Sequence, residues 1–148
     1  DVKQNLENNI TPNIQIPNFG TGDIDSPEKA LEYKQKYACD GMMIGRAAIG
    51  YPWIFNEIKH FFETGEKLPK PTISNRLLAV KQHAEWSAEW KGERLGLIEM
   101  RHHYSNYFRG ISHFKEFKTK FLQVLSLEEF YQLLEETEVF YKNKIETL

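Results

Sequence analysis

The stretch Asp40-Gly41-Met42-Met43-Ile44-Gly45-Arg46-Ala47-Ala48-Ile49-Gly50-Tyr51-Pro52-Trp53-Ile54-Phe55 leaves the chain around it few options. Met42 to Ile44 is an apolar run held between two glycines. It is too short for a buried helix and suits a strand covered on both faces. Gly45-Arg46 follows at the strand's C-terminal end, and Ala47, Ala48, Gly50 and Pro52 turn the chain into a helix. Free backbone N–H groups and a helix start favour an anion there, and the guanidinium adds a two-pronged charge.

A similar pattern lies upstream. Asn13 to Phe19 alternates apolar and polar residues, as a strand does, and runs into Gly20-Thr21-Gly22-Asp23, a tight loop where the backbone can approach a ligand. Ser26-Pro27-Glu28 is a helix start, with Ser26 or Asp25 as N-cap and Pro27 at the first helical position. Ala30, Leu31, Tyr33 and Tyr37 continue a helical face. Strand, helix and strand in this order predict two parallel strands joined by a right-handed crossover. Both glycine loops then emerge at the same carboxyl edge, where open sheets and (β/α)8 barrels place their ligands. Asp23 is expected to order its loop or cap the helix rather than to act as a base.

Composition narrows the class without sharpening it. The net charge of −2 does not by itself point to nucleic acid, so an RNA surface has to be local. Cys39 is the single cysteine, which rules out an internal disulfide and a multi-cysteine zinc site and fits a reducing compartment. It reads as a small buried hydrophobe. His102, His103 and His113 lack any metal-binding spacing, so no metal is expected. No apolar stretch approaches the ~20 residues of a membrane span, and Asp1 to Pro12 is polar and unlike a signal peptide. A soluble, cytoplasmic protein with no membrane association is expected.

Pro52 to Phe62 reads as a helix ended by Gly65, and the proline-flanked segment Glu66 to Pro71 as a hinge. Beyond it the periodicity is wholly helical. Four helices are predicted: Thr72 to Lys91, Glu93 to Arg109, Ser112 or His113 to Val124, and one opened by the capping box Ser126-Leu127-Glu128-Glu129. They imply a small antiparallel bundle with Phe114, Phe117 and Phe121 in its core. Two parallel strands do not bury a sheet alone, and a (β/α)8 barrel takes ~250 residues. The predicted fold class is therefore an α/β fragment of a (β/α)8 TIM barrel, residues 1–65, followed by an all-α four-helix bundle, residues 66–148. The chain is expected to be a piece of a longer protein, with exposed strand edges that invite self-association.

At this point the residues carry a family. Ile16-Pro17-Asn18-Phe19-Gly20-Thr21-Gly22-Asp23-Ile24, together with Asp40 to Phe55, resembles the end of the barrel in tRNA-dihydrouridine synthases. Glu99-Met100-Arg101-His102-His103-Tyr104-Ser105-Asn106-Tyr107-Phe108-Arg109-Gly110 resembles that family's helical-domain signature. The resemblance implies a flavoprotein oxidoreductase of tRNA processing. It reduces the C5–C6 double bond of uridine, with FMN as hydride carrier and NADPH as reductant. It carries the FMN phosphate to Thr21, Gly22, Asp23, Gly45 and Arg46, in agreement with the anion cup read from the residues. The family usually has Asn where this chain has Thr21. Its catalytic acid is a cysteine in an Asn-x-Gly-Cys-Pro loop that these 148 residues do not contain; Cys39 does not match it. No catalytic residue is assigned in this chain, which is expected to be inactive alone.

Lys91 to Lys120 is rich in basic residues, whereas the last helix is acidic. Composition alone reads these as solvated helix faces. The resemblance, in which the helical domain helps hold tRNA, implies RNA contact by Arg101, His102, Tyr107 and Arg109. The alternative is a non-catalytic RNA-binding or structural helical module. A fragment of a different phosphate-binding barrel fits less well, because Trp53-Ile54-Phe55 and the helical signature lie outside it.

Overall fold

In a computed structural model of the chain, residues 17–145 are described. The elements are β1 (Phe19–Thr21), α1 (Pro27–Tyr37), β2 (Gly41–Met43), a single 3-10 turn (Arg46–Ala48), α2 (Ile54–Thr64), α3 (Ile73–Lys91), α4 (Glu93–Tyr107), α5 (Phe114–Phe121) and α6 (Leu127–Ile145). The chain forms two compact units. One comprises residues up to Ala48 plus Pro52–Leu68, the other Ile49–Tyr51 plus Pro69–Leu148. The change of unit after Leu68 falls inside the predicted hinge, and Ile49–Tyr51 joins the helical unit.

In the first unit β1 and β2 pair in parallel, Phe19 opposite Gly41 and Thr21 opposite Met43. The first strand reaches further along the chain than expected. Asn13 to Ile16 lie outside the described residues, and the strand that forms takes in Gly20 and Thr21, which were expected in the loop. Gly20 tolerates this because a side chain there would press on Cys39, whose Sγ lies 3.2 Å from an added Cβ. Cys39 is buried, as its reading as a small apolar residue requires. α1 starts as predicted: Ser26 Oγ accepts from Lys29 N at 3.4 Å and Pro27 follows. Ile24, Ala30, Cys39, Ile54 and Ile58 form a small core. Among the described residues the sheet has two strands and is not a closed barrel.

The second unit is all helical. Gly96 lets α4 lie directly on α3: an added Cβ would sit 2.5 Å from Ser87 C and O. α6 packs on α3 and α5. The predicted aromatic stripe is core. Phe114 stacks on Phe108 at 4.0 Å, Phe121 lies 5.1 Å from Tyr104 and 5.9 Å from Phe130, and Phe117 is buried beside Tyr141. The capping box forms with a shift. Ser126 Oγ accepts from Glu129 N at 3.3 Å, while the Glu129 carboxylate reaches back to Leu125 N at 3.1 Å, one residue before the cap.

Two helices end earlier than predicted. α5 stops at Phe121 because Gln123 N turns to Lys120 O in a tighter i→i−3 bond. α4 stops at Tyr107, and Arg109 N bonds Asn106 O in the turn that follows. Buried Arg76 explains that stop. Its Nη1 donates to the carbonyls of Tyr107 at 2.7 Å and Arg109 at 3.2 Å, and its Nε to Pro71 O at 3.2 Å. A fixed cation on the last carbonyls satisfies acceptors that the helix leaves open and opposes its dipole.

Candidate functional site: two loops on one sheet edge

The strand pair is held at both ends. At the amino ends Asn18 N donates to Asp40 Oδ2, and Asp40 N to Asn18 O, each at 2.9 Å. At the carboxyl ends an Arg46 Nη2–Asp23 Oδ1 ion pair joins the loop after β1 to the loop after β2. Thr21 and Arg46 therefore lie at one end of the sheet, and Thr21, Gly22, Asp23, Gly45 and Arg46 are all exposed there.

Local chemistry shapes the cup. Ile24 N closes a tight turn onto Gly22 O at 2.8 Å, with the Ile24 side chain buried as its anchor. Gly22 lies over the Tyr33 ring, 3.2 Å from where a Cβ would stand. Gly45 faces open space, so its backbone is accessible. Arg46 is 81% exposed and spends one of its donors on Asp23. A guanidinium has five, so four stay available. Asp23 thus links its loop to Arg46, while Ser26 caps α1.

One expected contribution is absent from this edge. Gly45 leads into a three-residue 3-10 turn, and α2 begins only at Ile54. The positive end of an α-helix therefore does not sit beside Gly45. An anion there depends on loop N–H groups and Arg46. These residues fit a terminal phosphate: exposed, glycine-lined, and supplied with a forked cation.

The four residues expected to touch RNA separate in the helical unit. His102 is exposed on α4, and Arg109 is exposed in the turn beyond it, its Nη2 bonded to Asn106 Oδ1 at 2.8 Å. Because Arg109 has left the helix, it and Arg101 do not share one helical face. Arg101 is half-buried, with Nε covered and unbonded. Tyr107 corrects the expectation: it is 4% exposed, and its hydroxyl meets His83 Nδ1 at 3.1 Å. A ring enclosed in the bundle offers no face to a base. Of the basic stripe, Lys91 and Lys120 are paired with Glu99 and Glu136. Among the described residues no group of side chains is suited to a metal, and no helix is long and apolar enough to cross a membrane. Arg76 was missed from the sequence, where a lone arginine in a helix gives no sign of capping a different one.

Parallel strands with linked loops at their carboxyl ends, followed along the chain by an all-helical unit, define an α/β unit with a helical extension. The chain belongs to the dihydrouridine synthase family, whose model matches residues 5–145, through both units. It is similar to the probable tRNA-dihydrouridine synthase 1 of Synechocystis sp., 34% identical over 123 residues, covering 83% of this chain and 34% of the relative. Against the tRNA-dihydrouridine synthase B of Pseudomonas aeruginosa it is 38% identical over 108 residues, or 73% and 32%. A probable tRNA-dihydrouridine synthase of Rickettsia bellii is 36% identical over 110 residues, or 74% and 34%. The chain spans about a third of the length of these curated relatives.

Proposed function

We propose that this chain is the flavin-phosphate end and the tRNA-contacting helical domain of an FMN-dependent tRNA-dihydrouridine synthase. The observation that carries this is the Asp23–Arg46 pair, which brings both glycine loops to one edge in a chain of this family. Thr21, Gly22, Gly45 and Arg46 bind the phosphate of FMN, and Asp23 holds Arg46 in position. FMN held there would supply the hydride that reduces the C5–C6 double bond of uridine, with NADPH as reductant. Opposite the hydride a proton donor is required. Cys39 does not fill that role, since it is buried beneath β1. The 148 residues alone accordingly bind without turning over.

In the helical unit Arg101, His102 and Arg109 contact tRNA, with Lys115 and Lys118 adding charge. The test is a gel-shift titration of tRNA over a range of salt. Parent protein is expected to bind with a negative salt slope, and Arg101→Ala/Arg109→Ala to weaken binding and flatten the slope by about one per lost phosphate contact. The same preparations given FMN and NADPH are expected to form no dihydrouridine. Unchanged tRNA binding by the double variant overturns the RNA assignment, and turnover retained in Cys39→Ala overturns the missing acid.

A further inference from the structure

A cavity of about 260 Å³ lies between α3 and α4. Its α3 wall is His83, Trp86 and Trp90, spaced i, i+3 and i+7 and so projecting from one face. Glu99, Met100 and His103 line it from α4. Trp86 is 61% exposed and Trp90 81%. One exposed indole is ordinary. Two on successive turns beside a polar recess form a platform.

The polar groups are specific. The rings of His83 and His103 meet edge to face at 4.7 Å. His83 Nδ1 is engaged by the Tyr107 hydroxyl, which leaves Nε2 for another partner. His103 Nδ1 is buried with no hydrogen bond. Burial holds both imidazoles below their ordinary pKa, helped at His83 by His103 and at His103 by His102, so at neutral pH each offers one donor and one acceptor. Lys91 is paired with Glu99 and also lies 4.8 Å over one face of Trp90, leaving the other face open. The lining therefore has no net charge.

A phosphate or carboxylate finds no free cation here. An aliphatic segment would cover the imidazole edges of His83 and His103 that line the cavity without offering them a hydrogen bond. A flat, uncharged ring with nitrogen and oxygen on its edge meets both needs. We infer that this cavity takes an unpaired nucleobase of RNA, stacked on Trp86 or Trp90 with its edge toward His83 and His103. This rests on the RNA-binding function proposed above and adds a base-holding pocket separate from the basic residues.

The test uses the 148-residue chain with hexauridylate, hexaadenylate and a blunt RNA duplex. Tryptophan emission reports on the indoles, and anisotropy of labelled hexamer gives affinities. Trp53, in the other unit, is a constant background. Single-stranded hexamers are expected to quench emission to saturation. Trp86→Ala/Trp90→Ala should weaken hexamer binding on the order of tenfold or more, with duplex binding and melting temperature unchanged because both indoles are exposed. His103→Ala should weaken hexamer binding and spare the duplex. Equal affinity in the double tryptophan variant, or emission unmoved at saturating hexamer, overturns the inference. So does failure of any hexamer to bind, the result expected if a protein segment occupies the cavity. If instead Arg101→Ala/Arg109→Ala leaves tRNA binding intact while the tryptophan variant loses hexamer, the basic residues fail and the pocket stands.

Discussion

Single side chains in the helical unit do work that their types alone do not announce. Tyr104 is wholly buried, and its hydroxyl finds no hydrogen bond among the described residues; burial pushes its pKa well above the ordinary value. An orphaned buried hydroxyl costs stability, so its removal should help. Tyr104→Phe is expected to leave the protein as stable, or to gain up to about 2 kcal/mol, in urea denaturation; a loss above about 1 kcal/mol would reveal a partner for that hydroxyl. The histidine pair makes a pH prediction. His83 and His103 have folded pKa values depressed below the ordinary 6.5, mainly by burial. For His103 a neighbouring His102 lowers it further and Glu99 opposes. The unfolded chain then takes up protons first as pH falls. Stability is full above 6.5 and declines from there down toward the folded values. His83→Gln/His103→Gln should flatten that decline in melting curves taken between pH 7.5 and 5; an unchanged slope would remove the two rings from the account.

At the scale of elements, the informative segment is Ile49–Tyr51. Its glycine and the proline after it read as the turn into a helix of the first unit, yet it packs with the helical unit. Gly50 has φ +67°, and an added Cβ would stand 2.7 Å from Asn106 Cβ and 2.9 Å from His103 O and Tyr107 N. Only glycine meets both the left-handed backbone and the close approach to α4. Tyr51, next in sequence, places its ring 6.0 Å from the Arg76 guanidinium, the group that caps α4. Gly50→Ala combines strain with overpacking and is expected to cost about 2–4 kcal/mol. Calorimetry checks this: a melting temperature within a degree of the parent would mean that the segment is free to move off α4. Helix starts were largely readable, because Ser26, Thr72 and Ser126 bond the first-turn N–H groups as their residue types foretell. Helix ends were less so. Arg76, thirty-one residues before Tyr107, decides where α4 stops.

For the molecule as a whole, β1 and β2 pair only with each other among the described residues, and Phe19 and Met43 stand 70% and 60% exposed beside them. Open strand edges with apolar flanks invite pairing with another copy. Light scattering after size exclusion is expected to show concentration-dependent association, and Phe19→Lys/Met43→Lys to reduce it; a clean monomer across the range would count against the prediction. Local pattern alone determined the order of elements, the parallel strand pair, the helical character beyond the hinge and the two glycine loops at one edge. Element identity depends on neighbours a few residues apart, which periodicity and turn chemistry record, and the strand–helix–strand order then implies parallel pairing with both loops at one edge. The fold alone decided that Asp23 clasps Arg46, that Tyr107 turns inward, that Arg76 ends α4 and that Trp86 and His103 share a recess. Each joins residues distant in sequence, and such contacts exist only once packing has chosen which faces meet.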